Sequence, residues 1–308
     1  MIDFTKLEQK NKGYGGANGG KRCLVYQGKP YMIKFPAPPT INKEMSYTNS
    51  CICEYIGCHV FELVGIPVQE TLLGTYRVND KEKIVVACGD FTSPGITLQD
   101  FASLKNTIVD SERNGYGTEL SDIEQTIESQ TMIDSKLLSD RFWDMFIVDA
   151  LIGNWDRHNG NWGFLYNAIS DKLILAPVYD CGSSLYPQAD EKMMKDILSS
   201  ADQKNSRIYN VPLSSIKSGD KKINYFKFIS SLQHECCNEA LKRIVPRIEL
   251  QKINQMIDDI SCISDLQKTF YKTMIAERKE KILDYSLKQL IKQEQGTKTF
   301  IKPRGIRL

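Results

Sequence analysis

Three residues in the middle of the chain have the types and spacing of a phosphoryl-transfer centre. In LIGNWDRHNGNWGFLYN, residues 151–167, Asp156 is followed five positions later by Asn161; in KLILAPVYDCGSSL, residues 172–185, an apolar strand delivers Asp180 into a Cys-Gly-Ser turn. Moving a phosphate off a nucleoside triphosphate requires Mg²⁺ to neutralise the phosphate charge, and this hard cation takes oxygen ligands. Asn161 and Asp180 can supply such oxygens. A separate carboxylate must orient the acceptor hydroxyl and take its proton as the new bond forms, a part open to Asp156. Gly182 lets the chain turn sharply beside Asp180. Each residue also has a plainer reading, since Asn154, Asn159 and Asn161 are turn formers and Asp156 could cap the loop.

The elements that must hold these residues are readable in outline. KRCLVYQGKPYMIKF reads as two short strands around a Gln-Gly-Lys turn, and VQETLLGTYRV and KIVVACGDF flank Asn79-Asp80, a hairpin signal. Between the two pairs, residues 43–64 carry apolar side chains at mixed three and four spacings, an amphipathic helix ended by Gly65 and Pro67. Together they predict a small antiparallel sheet with one helix. The run breaks at residues 88–97 through Gly89, Pro94 and Gly95, so the expected division is an N-lobe at 1–90 and a C-lobe at 91–308. A polar region then leads to helical patterns at 137–152, 191–198, 225–232, 239–248 and 264–295. The basic end, KTFIKPRGIRL, reads as a solvated tail. The fold class is α+β, two-lobed, with the larger lobe mainly helical.

Composition removes several alternatives. A chain of 308 residues can bury a large core without staples, and a net charge of +2 is too mild to imply a nucleic-acid surface. No apolar run reaches membrane-spanning length, and MIDFTKLEQKNKG lacks the apolar core of a signal peptide, which predicts a cytoplasmic start. The nine cysteines have no zinc spacing and read as reduced thiols in core positions. Only three histidines are present, His59, His158 and His234, so a His-rich metal site is excluded, and no G-x-S-x-G elbow supports a Ser-His-Asp triad. Acid, base and cation-binding work must fall mostly to carboxylates.

The glycine-rich GYGGANGGKRC, from Gly13, has Gly15, Gly20 and Lys21 at P-loop spacing, but Arg22 replaces the Mg²⁺-binding Ser or Thr and strands follow where a helix should start. A glycine loop beside strands is the kinase style of phosphate cover. The strict G-x-G-x-x-G spacing is missing, and an isolated glycine cluster is more often a plain turn.

GNWDRHNGNWGF followed by YDCGSS resembles the catalytic loop and metal-binding turn of the HipA-like serine/threonine kinases, and DRHNGN is also similar to the catalytic loop of phosphoinositide lipid kinases. GGANGGKRCLVYQGKPYMIKFP resembles the HipA-type glycine segment and its strands, with the motifs in the same order. Among such kinases the chain looks closest to the compact proinflammatory ones secreted or translocated by a bacterium.

The resemblance implies a kinase-like fold that binds ATP and Mg²⁺ and transfers phosphate to Ser or Thr of protein substrates, autophosphorylation included. Lys34 matches the lysine that contacts the phosphates and Glu54 its ion-pair partner; Asp156 matches the catalytic aspartate; Asn161 and Asp180 match the metal ligands. Gly15, Gly16, Gly19 and Gly20 match the phosphate cover. Val86, Ala87 and Cys88 fall where the adenine edge would bond to backbone, and His158 is a structural residue of the loop. Trp155 and Trp162 read as core packing around that loop. Cys181 replaces the middle Phe of a DFG turn, which removes the basis for a DFG flip. HipA has a further subdomain before its glycine segment, so the HipA-type antitoxin partnership is not expected here, nor is nucleic acid. Oligomeric state is left open, and non-classical secretion into a host would leave no trace in the sequence. A lipid or small-molecule kinase, or a nucleotide-binding interaction protein with an idle site, are the alternatives that the same machinery allows.

Overall fold

Two dipeptides set the register of the first sheet. Gln27-Gly28 and Asn79-Asp80 all have positive φ, at 49°, 77°, 47° and 58°, the left-handed pair that closes a tight hairpin with the twist of its strands. The computed structural model describes residues 1–14, 21–36, 48–109 and 114–300, with side chains as far as 296.

In chain order the elements are β1 (Ile2–Asp3), β2 (Gln9–Lys10), β3 (Arg22–Tyr26), β4 (Lys29–Lys34), α1 (Ser50–Leu63), β5 (Thr71–Val78), β6 (Lys81–Gly89), β7 (Ile96–Asp100), α2 (Phe101–Ile108), α3 (Leu120–Ser129), α4 (Ser135–Ile152), β8 (Gly163–Asn167) and β9 (Lys172–Leu175). They continue with α5 (Glu191–Ser199), α6 (Ala201–Tyr209), β10 (Lys217–Ser218), β11 (Lys221–Lys222), α7 (Tyr225–Ser231), α8 (Glu235–Ile244), α9 (Leu250–Asp258), α10 (Asp265–Arg278) and α11 (Tyr285–Phe300).

The first sheet has the order β1-β5-β6-β4-β3-β2. It is antiparallel as expected except at one edge, where β1 joins β5 in parallel. Its two faces are covered differently. On one, Phe4, Leu24, Tyr31, Ile33, Val85 and Ala87 form an apolar cluster. The other carries Val86 and Cys88, closed by Cys51 and Tyr55 of α1. α1 is buried along much of its length because Cys51, Cys53, Ile56, Gly57, Cys58 and Val60 are small or branched enough to lie between the sheet and the helices beyond it. The expected helix over 43–64 is thus found from Ser50; residues 43–47 lie outside the described ones.

The remainder is helical around α4, from whose second half nearly every side chain is buried. α4 starts where the Asp134 carboxylate accepts the Leu137 N–H at 2.7 Å and ends at Gly153, left-handed at φ 62°. A second sheet, β7-β8-β9, includes as β9 the apolar strand expected ahead of Asp180. Gly163 permits it, since a β-carbon there would lie 2.2 Å from the Gln99 carbonyl oxygen. The long pattern over 264–295 is not one helix: a π-helical turn over Lys279–Asp284 separates α10 from α11. No described helix is long and apolar enough to cross a membrane. All nine cysteines are free; Cys236 alone is exposed, Cys262 is half-buried, and the rest are buried.

Candidate active site

Lys34, the last residue of β4, reaches two carboxylates that come from opposite directions. Its Nζ is 3.1 Å from Glu54 Oε2 of α1 and 2.9 Å from Asp180 Oδ1. Burial works against a charged Lys34, but Asp180 and then Glu54 outweigh it and hold its pKa well above the usual lysine range. The same ammonium is the main reason that Asp180 is lowered to about 2. Asp180 lies in the left-handed region at φ 59°, unusual for a non-glycine residue, and 44% of its side chain remains exposed. Gly182 brings this turn against α1: an added β-carbon would lie 2.9 Å from Glu54 Oε2.

Asp156 and Asn161 belong to the loop that follows α4. The Asn161 amide nitrogen donates to the Asp156 carbonyl at 2.8 Å, which leaves its amide oxygen as the atom for a cation. Among the described residues the Asp156 carboxylate has one long hydrogen-bond contact, from Ser183 Oγ at 3.5 Å. Burial raises its pKa, and the nearby Asp180 adds to the effect against the opposing pull of His158 and Arg157. His158 shapes the loop, accepting the Gly160 N–H on Nδ1 at 3.0 Å, and Trp162 is buried and stacked on Phe101 with centroids 4.1 Å apart, both as expected.

Magnesium fits what is present: oxygen donors at Asn161 and Asp180, and no group of three or more His, Cys, Asp or Glu among the described residues that would suit a softer, all-protein metal site. Gly15, Gly16, Gly19 and Gly20 lie outside the described residues. Val86, Ala87 and Cys88 are placed differently from expectation. They stand in the interior of the sheet with ladder partners on both sides, Lys34, Ile33 and Met32 on β4 and Leu73, Leu72 and Thr71 on β5, so their backbone groups are committed there. The chain leaves the ladder only after Gly89. The Cys88 thiol does face the site, in the field of Lys34.

The arrangement has close parallels. Residues 14–261 match the HipA-like C-terminal domain. The chain belongs to this HipA-like family. It is 50% identical over 285 residues to the serine/threonine-protein kinase CtkA of Helicobacter pylori strain J99, spanning 92% of this chain and 86% of that one. The crystal structure of the H. pylori proinflammatory kinase CtkA superposes with a TM-score of 0.89 at 49% identity, over 95% of this chain and 98% of the other. HipA of Shewanella oneidensis MR-1, solved with HipB and operator DNA, gives 0.55 at 16% identity, over 91% and 68%, a likeness of fold alone.

Around this HipA-like site stand residues that the sequence had not singled out. Arg157, the residue after Asp156, is buried and donates to Asp149 Oδ2 and Oδ1 through Nε and Nη2, at 3.0 and 3.2 Å. Its Nη1 donates to the carbonyl of Asn161 at 2.9 Å and to that of Tyr179. One guanidinium thus joins the end of α4, the Asp156 loop and the Asp180 turn. Asn154 adds a bond to Asp149 Oδ1 at 2.9 Å, and its own carbonyl accepts the Tyr225 hydroxyl at 2.6 Å. An aspartate inside the apolar run WDMFIVDALIG was the available signal. Lys21 is also drawn in, half-buried, its pKa lowered by burial and by Lys34.

Proposed function

We infer that this protein is a serine/threonine protein kinase whose centre is the cluster of Lys34, Glu54, Asp156, Asn161 and Asp180. The observation that carries this reading is Lys34 held between Glu54 and Asp180, which ties the sheet, α1 and the second half of the chain into one charged centre. ATP is the phosphate donor. The N-lobe at 1–90 and the C-lobe at 91–308 close on it from two sides, and the adenine edge meets backbone beyond Gly89 rather than at Val86–Cys88.

Lys34 neutralises oxygens of the bound phosphates while Glu54 fixes its direction. Asn161 and Asp180 hold magnesium, which supplies charge neutralisation at the phosphates when bound. Asp156 orients the serine or threonine hydroxyl and accepts its proton as the oxygen–phosphorus bond forms and ADP departs. Burial, with Asp180 adding to it, raises its pKa, which makes it a better proton acceptor than an exposed aspartate. Arg157 keeps the two aspartates in register. Autophosphorylation and non-classical secretion into a host belong to the same proposal.

The test is incubation with γ-labelled ATP and Mg²⁺, with and without a generic protein acceptor, for wild type, Asp156→Asn and Asp180→Ala. Label on serine or threonine that both variants lose supports the reading. Label on lipid or a small molecule alone, or bound nucleotide with no transfer, overturns it.

A further inference from the structure

Asp90, the first residue beyond β6, is fastened to the start of the chain. Its carboxylate, 2% exposed, accepts from Lys12 Nζ at 2.6 Å, the Tyr14 hydroxyl at 2.7 Å, the Thr92 N–H at 2.9 Å and the Thr92 hydroxyl at 2.7 Å. Lys12 also donates to Thr92 Oγ1 at 2.7 Å and lies 5.6 Å from the centroid of the Tyr14 ring. A carboxylate has about four lone-pair positions, so Asp90 is saturated.

The place of this clip in the sheet gives it meaning. Cys23 pairs with Met32, Met32 with Cys88, and Lys34 with Val86. Directly opposed residues share a face and alternate residues return to it, so Cys23, Met32 and Cys88 lie on the face that carries Lys34. Tyr14 follows β2, the strand paired with β3, and its hydroxyl donates to Asp90 just past β6. The phenol therefore covers this face between β3 and the chain just past β6, which on the kinase reading is the sugar and base end of the nucleotide cleft.

We propose that Tyr14 is an autoinhibitory plug: clipped to Asp90 with Lys12, it occupies the position of the incoming nucleoside, whose ribose hydroxyls bond to Asp90 only by evicting it. Two of the four bonds to Asp90 come from Thr92, two residues away, and stay in place during the exchange. The other two come from the far side of the sheet and are the ones a sugar replaces. The proposal rests on the kinase reading and adds to it a cost of opening that every nucleoside must meet.

The experiment measures equilibrium binding of ATP, adenosine and inorganic tripolyphosphate, with steady-state kinetics, for wild type, Tyr14→Phe, Tyr14→Ala and Lys12→Ala. Tyr14→Phe removes only the hydroxyl and guards against a folding defect in the alanine variant. The expected result is ATP and adenosine binding about tenfold tighter in both Tyr14 variants, the worth of one hydrogen bond to a charged group, with a lower KM, an unchanged kcat and unchanged tripolyphosphate affinity. Affinities that stay level or weaken overturn the plug. Lys34→Met separates the two readings: if it weakens ATP binding while the Tyr14 variants do not tighten it, only the plug fails. If no variant and no wild type binds ATP, the kinase reading falls and the plug with it.

Discussion

Arg157 grips Asp149 with two nitrogens, and both side chains are buried, 4% and 1% exposed. Removing one member leaves the other charge stranded in the interior, which typically costs ~3–5 kcal/mol. Asp149→Ala and Arg157→Ala are each expected to lower unfolding free energy by about that amount, read by urea titration, and to abolish phosphotransfer. Arg157→Lys should not restore it, because an ammonium cannot span the two carboxylate oxygens and the carbonyls of Asn161 and Tyr179 together.

Asp156→Asn separates activity from stability. Loss of the general base should lower kcat by about 10²–10⁴-fold. Burial and Asp180 both disfavour the Asp156 charge, so its neutral isostere is expected to raise Tm. A fall in Tm by calorimetry would mean that the charge helps hold the loop.

Acid stability should report the Lys34–Asp180 contact. Asp180 titrates at about 2 in the folded chain, below the ~3.9 of an unfolded aspartate. Its charge therefore contributes stability that is complete above about pH 4 and disappears as pH falls through about 2. Unfolding free energies of wild type and Asp180→Asn, measured across this range, are expected to differ most near neutrality and to converge in acid. A constant difference would contradict the contact.

Two glycines beside the centre should respond in opposite ways to alanine. At Gly182 the one contact of the new β-carbon under 3 Å is with the carboxylate end of Glu54, while the Ser50 carbonyl at 3.4 Å is in ordinary contact, so the fold survives while Lys34 loses its guide. The expected change is a roughly 10- to 100-fold loss in kcat/KM with little change in Tm. At Gly57 the β-carbon would lie 2.7 Å from that of Cys181, with backbone fixed on both sides. Overpacking of this kind costs ~1–3 kcal/mol, and the loss should appear in the urea midpoint.

What was legible in the sequence follows the reach of the interactions. The Gln27-Gly28 and Asn79-Asp80 hairpins and the helix ending before Gly65 were readable because local turn chemistry encodes them, and the candidate trio of Asp156, Asn161 and Asp180 stood out because short motifs carry it. α3 was not singled out because its apolar anchors Leu120, Ile123 and Ile127 are too sparse to stand out. The π-turn after Arg278 has no Gly or Pro to announce it. The buried Arg278 side chain beside it bonds to the carbonyls of Ala150 and Arg207, which no local reading can foresee. The ladder commitment of Val86, Ala87 and Cys88 was missed for a related reason: the pattern of β6 is that of a strand throughout, and only the pairing shows that β4 and β5 consume its backbone as far as Gly89. Arg157 resembled any charged loop residue until its partners came from three elements.

The uneven burial of the cysteines provides a clock. Cys51, Cys53 and Cys58 of α1 and Cys181 of the Asp180 turn are all enclosed, and burial pushes the Cys51 thiol up to about 12, whereas Cys236 on α8 stands in solvent. A thiol reagent added to the native protein will modify Cys236 at once and serve as a fluorescent handle without any substitution. The enclosed thiols react only when α1 or the turn lifts away, so their slow labelling times the rarest openings of the centre. Nucleotide that braces Lys34 and Asp180 should lengthen those times, giving a readout of occupancy that needs no turnover.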